Sequence, residues 1–186
     1  KISTVAFSPD NRYVLSCSGD YPDSKDSSIR LWEVKTGREE KRFAGYVSWV
    51  ASAIFSPDGR YVVSSGDASL RIWNISTGEE IATMIGFEDG EWIVITPDGY
   101  YNSSDKGDQY LSVKVGSKDY TIEQLKEAFY RPDLVNFALS GGSLKEFKKL
   151  AEIKEPPIVS IVNTPSSTGK DEATITLKIV DIGGGI

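Results

Sequence analysis

Phe7-Ser8-Pro9-Asp10-Asn11-Arg12-Tyr13-Val14 recurs as Phe55-Ser56-Pro57-Asp58-Gly59-Arg60-Tyr61-Val62, and a weaker copy runs Ile95-Thr96-Pro97-Asp98-Gly99-Tyr100-Tyr101. Self-similarity of this kind marks a repeat architecture, in which no unit buries its apolar face alone. The chemistry of each copy is that of a tight turn between strands. Pro pre-sets its own dihedral, and Gly tolerates positive φ.

The copies continue in register. Asp26-Ser27-Ser28-Ile29-Arg30-Leu31-Trp32 matches Asp67-Ala68-Ser69-Leu70-Arg71-Ile72-Trp73, and Thr36-Gly37 matches Thr77-Gly78. The Ile/Leu-Arg-Leu/Ile-Trp segment alternates inward and outward as a half-buried strand does. Asp26 and Asp67 can hydrogen-bond the turn that precedes it. A last strand, within 39–45 or 79–86, finishes each unit. In the third copy Asp108 leads into Leu111-Ser112-Val113-Lys114, with Lys114 where Trp is expected.

This pattern resembles the WD repeat, whose units form four-stranded blades around a central channel. The resemblance covers residues 1–117 and implies a mainly β chain: a partial propeller of about two and a half blades, at 1–45, 46–86 and a degenerate 87–117. Asp26, Trp32, Asp67, Trp73 and Asp108 are its structural repeat residues. Two departures stand out. Gly45-Tyr46 and Gly86-Phe87 replace the expected Gly-His pair, and the first copy carries extra residues in the loop 20–26. Loss of the histidine removes part of a hydrogen-bond network, so the expectation is a blade held more by packing.

After Val115 the period becomes helical, which sets a helical linker at 118–155. Thr121-Ile122-Glu123-Gln124 has the form of a capping box, followed by Leu125, Ala128 and Phe129 on one face. Pro132 fits the first turn of a second helix with Leu134, Val135, Ala138 and Leu139, ended by Gly141-Gly142. Ser143 and Glu146 suggest a third, lined by Leu144, Phe147 and Leu150. Pro156-Pro157 then marks a boundary. Two strands, 158–162 and 173–180, read as the start of an immunoglobulin-like β-sandwich truncated at Ile186, since a lone pair of strands is marginal in water.

The order of motifs carries a second resemblance. Glu91-Trp92 through Tyr101, then Phe129-Tyr130-Arg131-Pro132-Asp133-Leu134-Val135, then Pro156-Pro157 and Asp181–Ile186 resemble bacterial WD-repeat proteins fused to a caspase-like cysteine peptidase domain. None of that peptidase's catalytic residues carries over to this chain.

Composition narrows the function. Histidine is absent, which removes Ser-His and Cys-His pairs and imidazole metal ligands. The net charge of −6 argues against general affinity for nucleic acid, which relies on Lys and Arg. No apolar run is long enough for a membrane helix. One cysteine, Cys17, fits a reducing, cytoplasmic setting and reads as a small buried hydrophobe on the face of Tyr13 and Leu15. Asp20, Asp23 and Asp26 could offer oxygen to calcium, but lack the ligand ladder of an EF-hand. Glu39-Glu40, Glu79-Glu80 and Glu88-Asp89 recur at equivalent places, which signals architecture and not a glycosidase pair. No residue is therefore assigned to catalysis, a cofactor or a metal.

Tyr46, Trp49, Phe87 and Trp92 fall in or beside the turns joining blades; packing between blades is the first reading for them, and they are also the candidates for partner contact. The leading expectation is a non-catalytic protein–protein interaction scaffold, its remaining blades supplied in cis or by other copies. The alternative is the regulatory arm of a caspase-like peptidase whose catalytic domain lies outside this segment.

Overall fold

The structure is a computed structural model. It describes residues 2–18, 27–46, 49–110, 112–115, 118–121, 126–147, 158–163 and 176–180, with side chains in 2–18, 27–46, 49–110 and 126–147. The repeat turns form as their residues require. Ser8 N–H donates to Tyr13 O, and Ser8 Oγ donates to Asp10 Oδ1 at 2.6 Å. Ser56 and Asp58 reproduce both bonds in the second copy. Gly59 and Gly99 take positive φ of 69° and 97°, and Asn11 takes 58° where the first copy has no glycine.

These turns order two antiparallel sheets. In the first, β1 (Ile2–Phe7), β2 (Tyr13–Ser18), β3 (Ser28–Glu33) and β4 (Glu39–Ala44) lie in sequence order. In the second, β5 (Ser52–Phe55), β6 (Tyr61–Gly66), β7 (Ser69–Asn74) and β8 (Glu80–Gly86) repeat that order. A two-residue turn, Asp67-Ala68, joins β6 to β7 with positive φ at both positions (48° and 56°), as hairpins of matching twist demand.

Register and alternation fix which faces meet. Leu15, Cys17, Ile29, Leu31 and Phe43 share one face of the first sheet and form a buried cluster with Ala53, Val62 and Trp73 of the second. The Phe43 and Trp73 rings lie 5.8 Å apart. Between the inner strands, Ser3 Oγ and Thr4 Oγ1 donate to the carbonyls of Val50 and Ala51 at 2.8 and 3.0 Å. Cys17 is fully buried, as its place in the strand pattern predicts.

The third copy departs from the expected partial blade. Its strands β9 (Trp92–Ile95) and β10 (Tyr101–Ser103) add to the outer edge of β8, so the second sheet has six strands. The cause is local. Phe87-Glu88-Asp89-Gly90 closes a tight turn, with Phe87 N–H donating to Glu91 O at 2.8 Å and Gly90 at φ 88°. Asp89 Oδ1 accepts the Glu91 N–H. The chain folds straight back onto its own strand, whereas the stretch between β4 and β5 carries it across to a new sheet.

Beyond, Gly107–Tyr110 forms a 3-10 turn, and β11 (Ser112–Val115) pairs with β12 (Lys118–Thr121). The helical period expected directly after Val115 therefore gives way first to a hairpin. Helix α1 (Lys126–Phe129) and helix α2 (Pro132–Leu139) follow, with Pro132 in the first turn of α2 and Gly141 at φ 92° just past its end. Ala128, expected on the buried side of the first helix, is exposed. Helix α2 packs on β8 and β10. Phe129, Leu134, Val135, Ala138 and Leu144 form one buried cluster with Ala82, Ile93, Val94, Tyr100 and Tyr101. Ser143–Phe147 forms turns, and the rest of the expected third helix lies outside the described residues. Finally β13 (Ile158–Asn163) pairs antiparallel with β14 (Thr176–Val180), close to the expected bounds. The immunoglobulin-like continuation, including 181–186, lies outside the described residues.

Candidate interaction site

The four aromatic candidates separate into two kinds. Tyr46 is buried and belongs to the blade itself. Its hydroxyl shares a 2.8 Å hydrogen bond with Ser64 Oγ, and the Trp73 indole Nε1–H donates to the same oxygen at 2.8 Å. Arg71 lies over the Tyr46 ring, its guanidinium carbon 4.7 Å from the centroid, and Nη1 pairs with Glu80 Oε2 at 2.9 Å. Tyr46 thus occupies the Gly-His position and supplies a hydrogen bond there. The expected shift from hydrogen bonding towards packing is corrected for this blade: a phenol makes a hydrogen bond where the imidazole is missing. Burial pushes the Tyr46 phenol above its ordinary pKa. Gly66 admits this ring, since a β-carbon there would run into the Trp49 carbonyl and lie 2.9 Å from the Tyr46 ring.

Phe87 is also structural. It stacks on Tyr110 with centroids 4.1 Å apart, and the Tyr110 hydroxyl donates to Asp89 Oδ2 at 2.6 Å, which closes the hairpin that ends the second blade. Trp49 and Trp92 are brought together instead. They line one open groove of about 530 Å³ with Leu70, Met84, Ile85 and Val94. Trp92 is 40% exposed and Leu70 45%, so the groove presents apolar side chains to solvent. Leu70 and Met84, on strands β7 and β8, also belong to this site. Their signal was the repeat itself, because the equivalent Ile29 and Phe43 are core residues.

Among the repeat residues, Trp32 Nε1–H donates to Ser16 Oγ at 2.8 Å, as Trp73 does to Ser64. Asp67 forms the β6–β7 turn. Asp108 sits in the 3-10 turn, nearly buried, with Lys126 Nζ at 2.6 Å. It anchors the helical segment and does not precede a blade strand as Asp67 does. Asp20, Asp23 and Asp26 lie outside the described residues. Among the described residues no group of three or more His, Cys, Asp or Glu side chains could hold a metal ion, and no helix is long and apolar enough to cross a membrane. The thiol of Cys17 is pushed up to about 11 by burial, so it is a poor nucleophile near neutral pH.

Parts of this chain are similar to known proteins. Residues 1–33 and 37–74 match the WD domain, G-beta repeat. The nuclear distribution protein PAC1 of Coccidioides posadasii is 38% identical over 68 residues, 36% of this chain and 14% of that protein. The Lissencephaly-1 homolog of Dictyostelium discoideum is 34% identical over 65 residues, 35% of this chain and 16% of its own length. A WD repeat-containing protein of Synechocystis, sll1491, is 36% identical over 64 residues, 34% and 17% of the two chains. A solved structure of U3-55K overlays with a TM-score of 0.41 at 21% identity, over 54% of this chain and 37% of that one. The matched stretch thus spans a small fraction of each curated relative. Residues 1–33 and 37–74 of this chain are thus similar to WD repeats.

Proposed function

We propose that this chain is a non-catalytic interaction scaffold, a propeller segment of a larger protein that holds a protein partner. The observation that carries the reading is the apolar groove between Trp49 and Trp92, set on a WD blade whose polar repeat residues are already engaged in structure. Ser56, Asp58, Ser64 and Trp73 are each hydrogen-bonded within the blade. The net charge of −6 favours a protein partner over nucleic acid. Aromatic and Met side chains are those enriched in interface cores.

The test is capture of a partner by the full chain on a support, compared with a Trp92→Ala variant. The expected result is a defined protein retained by the wild type and lost from the variant. Saturable turnover of a peptide or glycoside by this chain alone overturns the reading.

A second reading makes the segment the sensor arm of a caspase-like peptidase. It is supported by the motif order from Glu91 to Ile186 alone, since Phe129, Leu134 and Val135 have a sufficient role in the buried cluster. A His and Cys dyad encoded downstream in the same reading frame supports it, and a chain that ends without one defeats it.

A further inference from the structure

A pocket of about 560 Å³ opens between the two sheets, beside the segment that follows α2. Tyr13 and Lys41 of the first sheet, Tyr61 and Asn74 of the second, and Gly141 past α2 wall it. A β-carbon at Gly141 would lie 2.9 Å from the Tyr61 hydroxyl, so the third wall closes directly on that phenol. The volume is that of a small-molecule site. The pocket shares no residue with the Trp49–Trp92 groove.

Register explains how a lysine comes to stand there. Lys41 lies opposite Leu31 and on the same face of β4 as Phe43, so it continues the row of residues turned towards the second sheet. Its stem reaches the turn after β7, with Cδ 3.6 Å from where a β-carbon on Gly78 would stand. The repeat-equivalent residue of the second sheet is Ala82, buried opposite Ile72. The first sheet thus sets a cation where the second has a small apolar residue. Among the described residues nothing pairs with the Lys41 ammonium.

The rest of the wall offers mainly donors. Arg60 uses Nε on Asp58 Oδ2 at 2.6 Å and keeps its terminal nitrogens open. Asn74 Oδ1 accepts the Ser76 and Thr77 backbone N–H groups at 2.8 and 3.2 Å, which leaves the amide nitrogen to donate. The hydroxyls of Tyr13 and Tyr61, repeat-equivalent residues, have no hydrogen-bond partner among the described residues. Glu40 is the one carboxylate in the lining against two cations, in a chain of net charge −6. Leu31 and Ile75 add apolar wall. We infer that this pocket takes a small organic anion: a carboxylate or phosphate head facing Lys41, on a compact apolar body. Charge-assisted hydrogen bonds hold the head, and burial of the body adds to them.

Amide NMR of the full chain, titrated at constant ionic strength with phenyl phosphate and with benzoate, tests it. Benzyl alcohol is the uncharged control. The expected result is saturable shifts at Lys41, Asn74 and Gly141 with at least one of the anions and none with the alcohol. The anion that binds names the head group. Lys41→Met keeps the stem and is expected to weaken binding about tenfold or more, as loss of one charged hydrogen bond does. Lys35→Met removes the same charge from an exposed turn and is expected to leave affinity unchanged. An undisturbed spectrum away from the pocket shows that each variant folds, and Lys41→Gln stands in should Lys41→Met fail to. No saturable shift with either anion, equal shifts with the alcohol, an unweakened Lys41→Met, or equal losses in both lysine variants overturns the inference. None of these outcomes touches the scaffold reading, which rests on the other groove.

Discussion

The Tyr46 hydroxyl is one oxygen on which much of the second blade depends. It bonds Ser64, which also receives the Trp73 indole, while the ring supports Arg71. Tyr46→Phe keeps the ring and the cation contact and deletes only the hydrogen bond. Its expected cost is about 1 kcal/mol, the net worth of a typical buried hydrogen bond, read as a lower urea midpoint at unchanged slope. Tyr46→Ala removes the ring as well and is expected to cost about 3 kcal/mol or more. Cys17 offers an independent probe of the first blade. Its thiol, pushed up to about 11, is expected to resist a thiol reagent in the native protein and to react at once after denaturation. Fast labelling of the folded chain would show that the two blades do not pack as described. The burial of Cys17 was legible in its strand pattern. The bond made by Tyr46 was not, because a loop aromatic in sequence gives no hint of which oxygen it will meet.

At the scale of elements, the repeat was legible because its turns are local. Pro-Asp-Gly folds by its own dihedrals, so strand order and register in both blades follow from spacing. The fate of the third copy was equally local, but its signal was misread. Glu88-Asp89-Gly90 looked like an acidic loop, while Asp-Gly is a hairpin turn, and it sends β9 back along β8. The groove was half legible: Trp49 and Trp92 were singled out, but Leu70 and Met84 join it only once the sheet is folded. The helical segment was legible in period but not in role. It is no linker, since Phe129 stacks on Tyr100 at 5.4 Å and sits in the cluster with α2 and the added strands. Phe129→Ala is expected to destabilise this cluster by about 3–5 kcal/mol. Hydrogen exchange should accelerate in α2, β9 and β10, with Cys17 still protected. Equal acceleration in β2 and β3 would mean that the two buried clusters unfold as one unit.

For the whole molecule, the described residues gather into two buried clusters, one around Trp73 and one around Phe129. The same feature that holds the second blade together has a wider consequence. Histidine, with an ordinary pKa near 6.5, is the side chain that changes charge in mild acid. A buried phenol does not, and the chain contains no histidine. Acid therefore reaches this molecule first through its carboxylates. Ser56 and then Arg60 hold Asp58 down to about 2 from an unfolded value of 3.8, so that turn is fully stabilised above the higher value and loses its contribution as pH falls towards the lower. The unfolding midpoint is expected to be level from about pH 5 to 8 and to drop only below about pH 4. A step near pH 6 would contradict this. A partner held by the proposed scaffold would therefore stay bound through mild acid, and its release would need a trigger other than protons.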